Sequence, residues 1–303
     1  MTAAAPPEIT PARAWILAAR PATLPAAVVP VLVGAGAALA DGAQLRLLVL
    51  VMTLACALLI QIGTNFANDY SDFARGADTE ARLGPVRVTA SGLMTREAVR
   101  LGIIAAFGVA VLIGIYLAWI GGWPIIVIGI VSVLSGLAYT GGPFPTGYHG
   151  LGDLFVFVFF GLVAVTGTAF LQTGVWSRTA LLLSIPIGLL VTNILVVNNL
   201  RDLPTDVAAG KGTLATRIGE RATRIQYVSF CVAAFMMSAA AAIDLESPWL
   251  LLPLASAPLA INLIRKVGGD ASGRELNPVL ERSGQLLLAF GLLLATGAAL
   301  SRQ

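Results

Sequence analysis

Apolar stretches about 20 residues long recur from one end of this chain to the other, and that length is what crosses the hydrocarbon core of a bilayer. Inside lipid a backbone N–H or C=O finds no water, so each stretch must satisfy its own backbone, as a helix does. Hydropathy picks out about nine such stretches: Pro21 to Ala40, Leu45 to Ala67, Ala98 to Ile120, Trp123 to Tyr139, Leu154 to Thr173, Ala180 to Asn199, Ile225 to Ile243, Trp249 to Ile264 and Leu286 to Leu300. Only 12% of the residues are charged, against about a quarter in soluble domains. The expected fold is all-α, a polytopic membrane bundle of about nine helices around a central cavity. It is expected to form one domain over residues 1–303, with a flexible N-terminus over 1–13.

Lys and Arg fix the orientation. With the N-terminus on the cytoplasmic side, 16 of the 19 fall in inner connections and only Arg46, Arg178 and Arg302 in outer ones, the bias expected of a chain in the plasma (inner) membrane. A net charge of +3 reflects this skew and gives no reason to expect a nucleic-acid partner. Arg13 is the first basic residue and follows a small, Pro-containing leader. That is a poor start for a cleavable signal peptide, so the first span is expected to remain. Cys56 and Cys231 lie inside apolar spans without ligand-like spacing and read as small buried residues.

Two of the inner connections carry the chemistry. The second apolar stretch ends in NFANDYSDFARGADTE (residues 65–80) and the sixth in NNLRDLPTD (residues 198–206). Each is followed by a basic, Gly-containing loop, a weak internal repeat. On a helix, positions i, i+3, i+4 and i+7 share a face, which brings Asn65, Asn68, Asp69 and Asp72 together. Asn198, Asp202 and Asp206 share a second face if the helix survives Pro204.

Clustered carboxylates repel and need compensating cations. Mg²⁺ suits this set, because it takes hard oxygen ligands and is commonly held by one or two carboxylates plus substrate phosphates. No His/Cys set is present for zinc or copper. Arg75, Arg82, Arg87, Arg201 and Lys211 stand nearby, the residue types that grip phosphate oxygens. One acidic cluster alone reads equally as the solvated end of a helix, but two on one side, each with Asn and Arg beside it, point to a metal-bridged diphosphate. Asp78 lies off the helical face and is either a ligand or a solvated turn.

With those residues in hand the chain resembles the UbiA superfamily of intramembrane aromatic prenyltransferases. Asn68-Asp-Tyr-Ser-Asp72 with Asp78 resembles its first aspartate motif, and Asp202-Leu-Pro-Thr-Asp206 after Asn198-Asn-Leu-Arg201 its second. Arg87-Val-Thr-Ala-Ser-Gly92 resembles the Arg-Pro-x-x-Ser-Gly element, with Val88 in place of proline. The stretches Arg20-Pro-Ala-Thr-Leu-Pro, Arg75-Gly-Ala-Asp-Thr-Glu, Tyr139-Thr-Gly-Gly-Pro-Phe-Pro and Gly147-Tyr-His-Gly-Leu-Gly-Asp153 are similar to the dihydroxynaphthoate branch. Two departures stand out. Pro143 occupies the place, four residues after Tyr139, where the superfamily often has lysine, and Asp78 follows Asp72 by six residues where hydroxybenzoate-type members space them by four.

The resemblance implies an enzyme of menaquinone synthesis. It would transfer a polyprenyl group from polyprenyl diphosphate to 1,4-dihydroxy-2-naphthoate, with decarboxylation, to give demethylmenaquinone. Asp69, Asp72 and Asp78 would hold one Mg²⁺ and Asp202 and Asp206 a second, with Asn65, Asn68 and Asn198 beside them. Arg75, Arg82, Arg87, Arg201 and Lys211 would bind the diphosphate. Tyr139, Tyr148, His149 and Asp153 are candidates for touching the acceptor or the allylic cation. Hydroxybenzoate or homogentisate are the alternative acceptors. A secondary transporter is the competing reading of another class, and against it the polar residues gather at one membrane face. A phosphoalcohol transferase would need an Asp-Gly…Ala-Arg signature, which is missing before the acids.

Overall fold

The computed structural model describes residues 9–76 and 83–301. Its helices are α1 (Pro11–Ala19), α2 (Pro25–Ala40), α3 (Leu47–Ala74), α4 (Arg96–Gly121), α5 (Trp123–Ala138), α6 (Gly152–Val156), α7 (Ala164–Thr173), α8 (Arg178–Ala208), α9 (Leu214–Asp244), α10 (Ala257–Gly268) and α11 (Asn277–Leu300). Among the described residues there is no strand. Seven helical segments are long and apolar enough to cross a membrane. The bent pair Pro11–Thr23 and Pro25–Ala40 makes an eighth if it is one span, and Trp123–Ala138 is a shorter apolar helix. The expected nine stretches are therefore all helical, but not all are full-length spans.

Local sequence explains the boundaries. Thr10 accepts the N–H of Arg13, Thr95 that of Ala98 and Ser177 that of Ala180, so α1, α4 and α8 begin on hydroxyl caps. Arg20 closes α1 at φ 53°, and Pro21 then opens a single 3₁₀ turn, Pro21–Thr23, before α2. This produces the 52° bend between the two segments. Pro204 does not end α8, which runs through it to Ala208. A proline there removes one backbone donor without stopping the helix.

Helix α8 is the axis of the bundle: 72% of its most apolar window is buried, against 22% for α3 and α4. Leu183, Ile187, Leu190 and Val197 of α8 pack with Val29 and Val33 of α2, Tyr227 and Cys231 of α9, and Phe290 and Leu294 of α11. The span after α5 is interrupted by a π-helix, Phe157–Val163, between α6 and α7. Close backbone approach accompanies it, since a Cβ on Gly161 would lie 2.6 Å from the Cα of Gly188 on α8.

The outward faces of α4 and α5 carry Leu101, Ile104, Leu112, Ile115, Ile130 and Leu134, all exposed, an apolar surface of the kind lipid covers. Trp119, Trp123, Trp176 and Trp249 are also exposed and stand at helix termini on one end of the bundle, as interfacial rings do. That end is tied by Thr179 to Asp41 and by Arg178 to Asp244, each at 2.7 Å. The last turns of α3 and α8, with both acidic motifs, are at the opposite end.

Candidate active site

The two acidic helix ends line one cavity of about 220 Å³, to which α3 contributes Asn65, Asn68 and Asp72, and α8 Asn198, Asp202 and Asp206. Asn65, Asn68, Asp72, Asp202 and Asp206 are each more than nine-tenths buried. Charges held so far from water need partners, and those of Asp72 come from loops distant in sequence. Arg87 Nη2 donates to Asp72 Oδ2 at 2.7 Å and Tyr148 Oη to Asp72 Oδ1 at 2.9 Å. Lys211 Nζ stands 3.7 Å from Asp206 Oδ1 and 4.7 Å from the centre of the Tyr148 ring. Asn68 accepts the Thr140 hydroxyl at 2.8 Å. Arg87, Tyr139, Tyr148 and Lys211 line the same cavity.

Several residues read from sequence as ligands have other positions. Asp69 shares the helix with Asp72 but does not line the cavity. Its carboxylate accepts the backbone N–H groups of Val88 and Thr89, both at 3.1 Å, and so fixes the loop that carries Arg87. Arg201 is turned away as well and is only 1% exposed. Its guanidinium makes two bonds to Asp202, at 2.8 and 2.6 Å, and one each to Asn198 and Asn277. It packs so tightly under the loop that a Cβ on Gly84 would lie 2.6 Å from Nη2. Asn277 in turn donates to the Leu83 carbonyl at 3.0 Å, so Arg201 joins α8, α11 and that loop.

Arg75 donates to the Gly142 carbonyl at 2.6 Å, outside the cavity lining. His149 stacks on Phe144 with centroids 3.8 Å apart and its Nδ1 meets the Pro145 carbonyl. Asp153 is buried against Gln226, which donates to it at 2.9 Å. Neither His149 nor Asp153 lines the cavity. Asn65 does, while its amide nitrogen donates to Ala19 O and Thr23 Oγ1 and pins the bend between α1 and α2. Asp78 and Arg82 lie outside the described residues.

The structure adds cavity residues that the sequence reading passed over. Gln61, one turn before Asn65 on α3, donates to Thr23 Oγ1 at 3.2 Å and lines the cavity with Arg20. Extending the 61, 65, 68, 72 face one turn upstream would have found it. Phe160, from the π-helix, is also in the lining, and no periodicity announces it.

The donor set suits Mg²⁺ in a particular way. Among the described residues no three His, Cys, Asp or Glu side chains gather into a ready-made cage. Asp72, Asp202 and Asp206, with the amide oxygens of Asn68 and Asn198, instead offer hard ligands around a cavity that also presents Arg87 and Lys211. One or two carboxylates completed by substrate phosphates is the usual way Mg²⁺ is held.

Comparison with known proteins shows the family. Residues 27–275 match the UbiA prenyltransferase family. The 1,4-dihydroxy-2-naphthoate octaprenyltransferase of Mycobacterium tuberculosis is 40% identical over 285 residues, covering 94% of this chain and 96% of that one. The protein of the same name from Escherichia coli is 33% identical over 307 residues, covering 97% and 98%. Among solved structures, a UbiA homologue from Archaeoglobus fulgidus bound to GPP and Mg²⁺ superposes with a TM-score of 0.64 at 13% identity, over 93% of this chain and 99% of that one. The shared helical architecture, the match over most of its length and the two acidic helix ends at one cavity lead to one conclusion: this chain belongs to the UbiA prenyltransferase family.

Proposed function

We propose that this protein transfers a polyprenyl group from polyprenyl diphosphate to 1,4-dihydroxy-2-naphthoate, with loss of the carboxylate, on the way to demethylmenaquinone. One observation carries the reading: a single cavity lined by acids from both helix ends and by Arg87 and Lys211 shares five lining residues with a neighbouring apolar cavity. That pairing suits a ligand with an anionic head and a hydrocarbon tail. The names of the relatives at 40% and 33% identity support the choice of acceptor.

Asp72, Asp202 and Asp206, with Asn68 and Asn198, would hold Mg²⁺ against the diphosphate. Bound there, the metal would supply positive charge where the leaving group gathers negative charge. Arg87 and Lys211 bind diphosphate oxygens from the same wall, and Tyr148 keeps Asp72 oriented toward them. Asp69 and Arg201 act on the loops and helix ends that carry these groups. The apolar cavity keeps water from the allylic cation, which water would quench. The acceptor's carboxylate meets Arg20, which enters the cavity beside Thr23 and Gln61. The site faces the cytoplasm, as the distribution of Lys and Arg indicates, in the plasma membrane.

The test is transfer in membranes carrying the protein, with Mg²⁺, labelled polyprenyl diphosphate and a panel of acceptors. Lipid-soluble product with 1,4-dihydroxy-2-naphthoate and not with 4-hydroxybenzoate or homogentisate is expected. Product with either of the others alone would overturn the acceptor assignment.

A further inference from the structure

The polar cavity and a second, apolar cavity of about 200 Å³ are neighbours that share five lining residues: Ala26, Thr64, Tyr139, Val156 and Phe160. Beyond these five the apolar cavity is lined by α2, α3, α4, α5 and the α6–α7 segment, with Ile60, Gly129, Phe159 and Gly167 among its residues. A prenyl diphosphate whose head fills one cavity and whose tail fills the other passes these five residues. Its C1–O bond, the junction of the anionic and hydrocarbon parts, then lies beside them. Of the five side chains only Tyr139 and Phe160 have an aromatic face.

The backbone is arranged to deliver Phe160 there. Phe157 and Phe160 both fall in the π-helix. In an α-helix residues three apart share a face, whereas the wider π turn spreads them. Phe157 accordingly packs on α8, where a Cβ on Gly188 would lie 2.8 Å from its ring, while Phe160 turns to the two cavities. Gly161, set against Gly188, holds that register.

We infer that Phe160 is a catalytic residue whose ring face, with Tyr139 beside it, stabilises the allylic cation. This rests on the proposed prenyl transfer. When the C1–O bond breaks, its electron pair leaves with the diphosphate and the positive charge spreads over C1 and C3. A π face attracts such a cation, most strongly where water is excluded. The cation is then consumed as the acceptor ring forms a C–C bond to C1, and CO₂ departs leaving its bonding pair to the ring.

The experiment replaces Phe160 with mono-, di- and trifluorophenylalanine, rings of nearly unchanged size and progressively weaker π charge. Phe160→Leu and Phe160→Tyr are made alongside. Two rates are read in reconstituted full-length protein: transfer to the acceptor, and scrambling of bridging ¹⁸O in labelled polyprenyl diphosphate with no acceptor present. Scrambling reports ionisation whatever the acceptor is, so a wrong acceptor assignment and a wrong role for Phe160 give different results. We expect both rates to fall stepwise with fluorine number, by roughly 30-fold for the trifluoro ring, with KM for the donor unchanged. Phe160→Tyr should keep most of the rate and Phe160→Leu should lose it. A flat series, or a loss confined to KM, would reduce Phe160 to a wall of the cavity and overturn the inference. If the unsubstituted protein neither ionised the donor nor transferred it, the inference and the function would fall together.

Discussion

Tyr148 gives its phenolic hydrogen to Asp72, a residue 76 positions earlier in the chain, at 2.9 Å. The same ring lies 4.7 Å from the ammonium of Lys211, so one side chain links the first acidic helix end to the loop after the second. Tyr148→Phe keeps the ring under Lys211 and removes the hydroxyl that donates to the carboxylate. Hydrogen bonds to charged groups contribute about 1.5–3 kcal/mol, so kcat should fall at least about tenfold. The thermal midpoint should fall by only a few degrees. Steady-state kinetics of the purified variant would show this, and an unchanged kcat would mean Asp72 needs no such support.

Asp69 and Asp72 are one helical turn apart and should fail differently. Asp72→Asn removes a charge from the cavity and should abolish turnover in a protein that is still folded. Asp69→Ala frees the loop at Val88 and Thr89 and should cost about 2 kcal/mol of stability, with activity reduced because Arg87 loses its position. Comparing thermal midpoints and residual rates separates the two. Equal loss of rate at unchanged stability in both variants would return Asp69 to the ligand set.

The clamp under the loop gives a prediction away from the cavity. Arg201→Ala leaves Asp202 buried without its guanidinium, a change of the kind that costs about 3–5 kcal/mol. Arg201→Lys cannot rebuild the paired bonds to Asp202 and should also destabilise. Gly84→Ala adds a methyl against Nη2 of Arg201 and should weaken the same clamp. Denaturation in detergent is the readout, and a stable, active Arg201→Ala variant would contradict the clamp.

Metal dependence should be tied to the donor substrate. With no three-carboxylate cage among the described residues, Mg²⁺ alone should shift the thermal midpoint little. Mg²⁺ together with a non-hydrolysable prenyl diphosphate should raise it strongly, because each completes the other's site. Chelation should stop turnover and added Mg²⁺ restore it. A large shift with Mg²⁺ alone would indicate a preformed metal site.

How much of this could be read in the chain follows from the range of each interaction. The oxygen-bearing face of α3 was legible because helical spacing is local, and α8 continues it on the other side of the cavity. Which oxygens are already engaged was not legible, since Asp69 is met by the backbone of Val88 and Thr89, 19 and 20 residues on. The arginines divide the same way. Arg87 and Arg201 look alike as charges beside an acid, and only the structure sets Arg201 outside the cavity lining, packed against Gly84 and bonded to Asn277. The π-helix has no signature in hydropathy, so Phe160 was one apolar residue in an apolar run.

In the proposed function the two acidic helix ends form a single catalytic site. A double-mutant cycle on Asp72→Asn and Asp206→Asn, read as kcat/KM for labelled prenyl transfer, tests it most directly. Groups that work as a unit are strongly non-additive. Each single variant should lose at least about 1,000-fold, and the double variant little more than either. Two losses that simply multiply, or a single variant that keeps near-normal kcat/KM, would contradict a shared site.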